Sequence, residues 1–335
     1  MVRWAAIMVT LLSLSVFTAV GKQGGAVRAA GKQSGETRAD SMVYDRPTEW
    51  RMFSVDWPVH AIALQGNILW CATESFVASV NTRSGKKVEM QKLKTLGSMP
   101  ADSIAAIAVD KQGGVWFGGP NGAAVKNGAK VTGFTAENGL SDNRVNAIAI
   151  AGSGSVWIGT DNGADLYQAG TWKHYTVKEG LASNKIQALV VDGKGSVWFG
   201  TDNGISVFDG LNWKSYSTKD GMSSNDIKAI AFDRRKEVVW VAAGEKDVNC
   251  FDGKKWTVYM DIQQGIISIM VDTQSRIWFG SAAGLIKFNG EDWISDPKQL
   301  GVSAAQVYQL HCDEKGNMWF ATENGVVFMT NPYPF

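Results

Sequence analysis

The side chains able to carry out chemistry are few and scattered. Three histidines, His60, His174 and His311, occur in 335 residues. None belongs to a Ser-His-Asp signature, no phosphate-cradling glycine loop is present, and no pair of carboxylates is placed together by the local sequence. Cys71, Cys250 and Cys312 cannot all pair within one chain and lack the C-x-x-C spacing of a metal site. Each lies in an alternating apolar segment, where a thiol serves as a small buried hydrophobe. Asp110, Asp192, Asp233, Asp272 and Asp313 recur, in several cases with Gly two or three residues on. Turn chemistry explains such an Asp, whereas a calcium loop needs several oxygen ligands at close spacing. The reading therefore expects no catalytic set, metal or cofactor. What the sequence does offer is hydrogen-bonding variety on either side of one recurring apolar residue: Arg144 and Asn146, Lys185 and Gln187, Asp226 and Lys228, Gln306 and Tyr308, with His60 in the first instance. Such groups suit the recognition of a polar ligand.

That these places are equivalent follows from self-similarity at a fixed period. The stretch SVWIGTDNGADLYQAGTWKHYTVKEGLASNKIQALVVDGKG runs directly into SVWFGTDNGISVFDGLNWKSYSTKDGMSSNDIKAIAFDRRK, and the two align almost without gaps. The marker Trp of the unit recurs as Trp70, Trp116, Trp157, Trp198, Trp240, Trp278 and Trp319, 38 to 46 residues apart. Each unit holds four short alternating segments, A to D, exemplified by 185–192, 196–201, 204–208 and 213–217. Asn203-Gly204 and Asp209-Gly210 tolerate the positive φ of tight hairpins, so the four strands are antiparallel neighbours. Four-stranded sheets at this period predict an all-β, seven-bladed β-propeller. The last unit ends before a D segment, and Glu49 to Ser54 matches the D pattern of Thr171 to Thr176. The N-terminal strand should thus complete the seventh blade and remove an open sheet edge. The seven marker Trp residues, one per blade at the same strand position, read as packing between blades.

Composition agrees. Fourteen Trp and 37 Gly with only 7 Pro suit tight turns stapled by buried aromatics. Lys plus Arg is 33 against 32 for Asp plus Glu, which gives no electrostatic reason to expect nucleic acid or an anionic membrane as partner. Residues 1–21 read as an export signal, with Arg3 followed by an apolar stretch from Trp4 to Val20; the alternative is an uncleaved anchor. Residues 22–45, a near-duplicated Gly- and charge-rich decapeptide, read as a flexible linker, and 46–335 as the propeller. The mature protein is expected in the periplasm or outside the cell, without a membrane span.

In such a blade the D–A and B–C connections emerge on one face and the A–B and C–D connections on the other. Positions that every blade fills alike are scaffold, and those that vary near the channel make a selective surface. The variable pair at the start of strand A places His60, Arg144, Asn146, Lys185, Gln187, Asp226, Lys228, Gln306 and Tyr308 around the channel mouth on the D–A face. Trp57, from a D–A loop, and Phe76, from a B–C loop, are expected to add an aromatic surface there. Only His60 sits where a base would be useful, with Glu74 as a neighbour.

The strings NKIQALVVDGKGSVWFGTDNGISVFDG and IISIMVDTQSRIWFGSAAGLIKFNG closely resemble the two-component regulator propeller repeat: an Asn-containing turn, an apolar strand, D-x-x-G, W-[FI]-G-T and N-G. The resemblance runs from about Asp45 onward and loosens in the first and fifth units, where CATESF and VAAGEKD replace the G-T-x-N-G turn. It implies the extracytoplasmic sensor portion of a regulator, many of which respond to carbohydrates. The sequence as given reaches Phe335 without a linking sandwich domain, membrane helix or kinase, so sensing would require handing occupancy to an envelope protein or a separate sensor kinase. A scaffold role, through loops or through Trp172, Trp213 and Trp256 on outer strands, is the second expectation. The third is a metal-dependent lyase, since the streptogramin lyase propeller is similar in blade number; its metal with a nearby His would be matched here by His60 alone.

Overall fold

A computed structural model of the chain describes residues 50–53, 58–74, 76–83, 87–92, 103–259, 262, 265–295 and 305–330. The export signal, the linker and Trp57 lie outside the described residues. Among the described residues, twenty-eight strands form seven antiparallel four-stranded sheets, each in the spatial order A-B-C-D. Blade four shows the pattern, with strands Ile186–Val191, Val197–Thr201, Gly204–Phe208 and Trp213–Tyr216. The A strands of neighbouring blades lie against one another around the whole ring, including Val307–Cys312 of blade seven against Ala61–Gln65 of blade one. Closure occurs as the repeat count demands: Trp50–Phe53 pairs antiparallel with Gly325–Met329 as the outer strand of blade seven.

The W-[FI]-G motif of strand B holds one blade to the next. Because side chains alternate across a strand, Trp and the residue after it point to opposite faces. The Trp of one blade meets the strand B Phe of the following one edge-on in two pairs, Trp70 with Phe117 at 6.1 Å and Trp157 with Phe199 at 5.3 Å. All seven marker Trp residues are buried. The glycine is needed for close approach: a Cβ at Gly159 would fall 2.5 Å from Ile186 Cγ2, and one at Gly200 2.6 Å from Ile227 Cγ2. The apolar residue that opens each strand A therefore packs on the preceding blade. It is buried in every blade: Val59, Ile104, Val145, Ile186, Ile227, Ile266 and Val307.

In three blades the indole nitrogen is satisfied from the A–B turn. Trp116, Trp198 and Trp278 donate to Asp110, Asp192 and Asp272 at 2.9–3.0 Å. The other oxygen of each Asp accepts backbone N–H groups of its own turn. At the far end of strand B, the Thr160 hydroxyl donates to the Gly163 carbonyl and accepts the Asn162 N–H, which fixes the B–C turn. No helix among the described residues is long and apolar enough to cross a membrane.

Candidate functional site

The variable position after the opening residue of strand A is displaced by a fault in the ladder. In blade three Val145 pairs with Thr160 and Ala147 with Gly159, so Asn146 is an extra residue opposite a continuous partner strand. The same register shift leaves out Gln187, Lys228, Ile267 and Tyr308 in blades four to seven. A bulge of this kind bends the strand and re-aims a side chain. Five successive blades therefore turn one residue each out of the regular alternation, while the flanking apolar residue stays locked in the core.

Two clusters form on the D–A face. The first joins blades three to five. Asn146 Nδ2 donates to Asp161 Oδ1 at 2.7 Å and to the Ile186 carbonyl of the next blade at 2.9 Å. Arg144, 62% exposed in its side chain, stands 3.4 Å from Asp161. Gln187 Nε2 donates to Asp226 Oδ1 at 3.0 Å, and Lys228 Nζ lies 2.6 Å from Asp226 Oδ2. Burial pushes the Asp226 carboxyl up, but the bonds from Lys228 and Gln187 and the charges of Lys228 and Lys185 outweigh it and hold the group below the usual carboxylate range. The second cluster joins blades seven and one. The rings of His60 and Tyr308 are 4.6 Å apart, and His60 Nε2 is buried, with no hydrogen-bond partner, 3.8 Å from Glu74 Oε1. Desolvation, then the charges of Glu323 and Glu74, raise the Tyr308 phenol. The Gln306 backbone N–H donates to Glu323 Oε1 at 3.3 Å. Blades two and six offer Ala105 and Ile267 at the same position and separate the clusters.

Two residues of this site, Asp161 and Glu323, were not legible as such, whereas Glu74 was expected beside His60. Asp161 and Glu323 occupy the B–C turn residue that follows Thr160 and Thr322, as Glu74 follows Thr73, and the common signal is an acidic residue directly after that hydroxyl. Gly119 and Pro120 interrupt it in blade two, and Ala282 in blade six. Phe76 requires correction. It opens strand Phe76–Asn81, is 7% exposed, and packs with Val59, Ile62 and Trp319. Its N–H and carbonyl both engage Thr73, so the turn ends one residue earlier than the sequence suggests and the ring enters the core.

The other histidines serve structure. Asp165 Oδ2 accepts the N–H and hydroxyl of Ser141 at 2.9 and 3.1 Å, and His174 Nδ1 meets Asp165 Oδ1 at 2.7 Å. Ser141 and His174 thus share a buried carboxylate from separate oxygens, which is not the order in which a base would activate a hydroxyl. His311 sits on strand Val307–Cys312, where burial lowers its basicity. Among the described residues no three His, Cys, Asp or Glu side chains converge as a metal site. On the outer strands Trp256 is 9% exposed, and Trp172 and Trp213 are half-buried against Phe134 and Tyr167 and against Tyr175 and Phe208. On the opposite, A–B face, a cavity of about 470 Å³ opens among the turns of blades two to five.

Comparison with known proteins follows the inner half of the blades. The family described as two component regulator propeller matches residues 98–121, 139–162, 180–203 and 301–324, each match covering strands A and B of one blade and reaching the B–C turn. The extracellular domain of a hybrid two-component system from B. thetaiotaomicron superposes with a TM-score of 0.72 at 19% identity, over 85% of this chain and 41% of that one. The extracellular domain of a one-component system from the same organism gives 0.68 at 16%, over 84% and 39%. The chain spans about two fifths of the length of these two neighbours. Virginiamycin B lyase from Staphylococcus aureus gives 0.70 at 15%, over 85% of this chain and 99% of that one. At such identities the likeness shows the fold alone, and no curated protein matches the sequence. The chain is a seven-bladed β-propeller, four segments of which match the two component regulator propeller family.

Proposed function

We propose that the protein is an extracytoplasmic binding module that takes a polar small molecule or glycan at the D–A mouth and reports occupancy to a separate envelope protein or sensor kinase. The observation that carries this reading is the bulge repeated in five blades, which sets chemically different side chains on an otherwise uniform scaffold. The mouth is also chemically uneven: Arg144, Lys185 and Lys228 stand with Asp161 and Asp226 in one cluster, and Glu74 and Glu323 with His60 and Tyr308 in the other. A ligand with separated hydrogen-bonding groups could be held across it. Extracellular placement is supported by the leader-like residues 1–21 and by the likeness to extracellular domains of regulators.

The test is a thermal-shift screen of the purified mature chain against oligosaccharides, amino acids and peptidoglycan fragments, since a ligand that binds only the folded state raises apparent stability. A shift with one class that disappears in the Arg144→Ala/Lys185→Ala/Tyr308→Ala variant is the expected outcome. A shift that survives those substitutions would remove the mouth from the account. A lyase reading has one specific observation in its favour, the unpartnered His60 Nε2 facing Glu74. It predicts turnover of a streptogramin-type substrate that is lost in His60→Ala, and no converging donor set for its metal is found among the described residues.

A further inference from the structure

The cavity on the A–B face is ringed mostly by positive charge. Its lining contains Lys111 from blade two, Lys194 from blade four and Arg234 from blade five, against a single carboxylate, Asp192. Asp192 offsets one of the three charges but makes no ion pair with any of them among the described residues. Its Oδ1 accepts the N–H groups of Lys194 and Ser196, and its Oδ2 accepts the Trp198 indole at 3.0 Å, so both oxygens face into the blade. Lys194 and Arg234 make no ion pair among the described residues. The Lys111 ammonium donates to the Gly152 carbonyl across the cavity wall, which holds it at the rim with two N–H groups to spare. All three cationic residues are exposed, whereas Ile150 and Val191, deeper in the wall, are half-buried.

Blade five breaks the repeat just where it delivers its cation. One more residue lies between Asp233 and Trp240 than between Asp192 and Trp198, and Arg234, Arg235 and Lys236 stand where blade four has Gly193, Lys194 and Gly195. The scaffold bond is lost as a result: Asp233 Oδ2 and Trp240 Nε1 are buried without hydrogen-bond partners, and Asp233 Oδ1 takes the Ser275 hydroxyl of blade six at 2.7 Å instead. Two unmatched buried polar atoms carry a real stability cost. The blade bears it while adding Arg234 to the cavity lining.

We infer that this cavity binds a compact, soluble polyanion carrying two or more carboxylate, phosphate or sulfate groups. A cleft lined by one sign of charge concentrates counter-charged ligands. An Arg fork beside two Lys ammonium groups suits planar or tetrahedral oxyanions, and the volume falls in the range of small-molecule sites. The site stands on the face opposite the polar mouth and shares no residue with it.

Isothermal titration of the full chain with citrate and with pyrophosphate, glucose serving as the uncharged control, tests the proposal. The expected result is one saturable site for at least one of the two anions, weakening as salt is raised, and none for glucose. Lys111→Gln/Lys194→Gln/Arg234→Gln should weaken it about tenfold or more. Lys130→Gln/Lys178→Gln/Lys214→Gln, which removes equal charge from exposed outer positions, should leave it unchanged. All six substitutions are at exposed side chains, and an unchanged melting temperature will show that both variants fold. Absence of saturable binding, or equal weakening by both variants, would overturn the inference.

Discussion

Cys71 is fully buried beside Val59, Ile62 and Phe76, and burial pushes its thiol up to about 12; Cys250 and Cys312 are pushed up to about 11. A thiol held protonated is a poor nucleophile, so maleimide labelling of native protein at mildly alkaline pH should leave Cys71 unmodified until denaturant is added. The same shift links stability to pH. The thiol's ordinary value is 9.0, so the unfolded chain releases this proton first. Its contribution is complete below 9.0 and is lost as pH rises toward 12. Urea titrations across that window should show stability falling, less steeply in Cys71→Ala. Asp165 illustrates the complementary case of a buried polar anchor. It pins the D–A loop of blade three through Ser141, as the Ser206 hydroxyl pins Ala182 and Asn249 pins Ser223. Asp165→Ala should cost roughly 1–3 kcal/mol by leaving those donors unpaired. Asp165→Ser should recover part of that loss in the same urea assay, because blade four manages with a serine.

Strand B glycines, strand A bulges and the closing strand are the elements that make the ring. Gly159→Val would drive its side chain into Ile186 of blade four, and overpacking of this kind should cost about 1–3 kcal/mol on urea denaturation. Deleting the residues through Phe53 leaves Gly325–Met329 as an open edge, so the truncated chain should melt lower and aggregate by light scattering. Much of this is written in the sequence. The Trp period, the N-G turns and the missing D segment specify seven closed blades, because identical local chemistry repeated seven times leaves little for tertiary context to decide. In blade four the strands begin and end within a residue of the alternation pattern. The bulges are not legible, because alternation reads on through Val145-Asn146-Ala147 with no Gly or Pro to mark the fault. Phe76 was misplaced for a related reason: CATESF lacks the N-G pair that marks where the turn ends. The A–B cavity escaped because a repeat-by-repeat reading treats D-x-x-G as scaffold, and the added residue of DRRKE matters only once four blades stand side by side.

At the scale of the molecule, the disc presents two faces of different character. One carries polar side chains thrown out by bulges and tied to one another across blades. The other carries a cavity rimmed by three cationic residues, none of them in an ion pair among the described residues. The outer surface offers little for an apolar interface among the described residues: Leu211, 89% exposed, and Val177 are the large hydrophobics left to solvent, and the outer Trp side chains lean into the blades. Equilibrium titration of the strongest hit from the ligand screen, on the parent chain and on Arg144→Ala/Lys185→Ala/Tyr308→Ala, is the most direct test of a binding site at the D–A mouth. A single site on the parent whose affinity falls about tenfold or more in the variant, with melting temperature unchanged, is the predicted result. Equal affinity in the two proteins would contradict it.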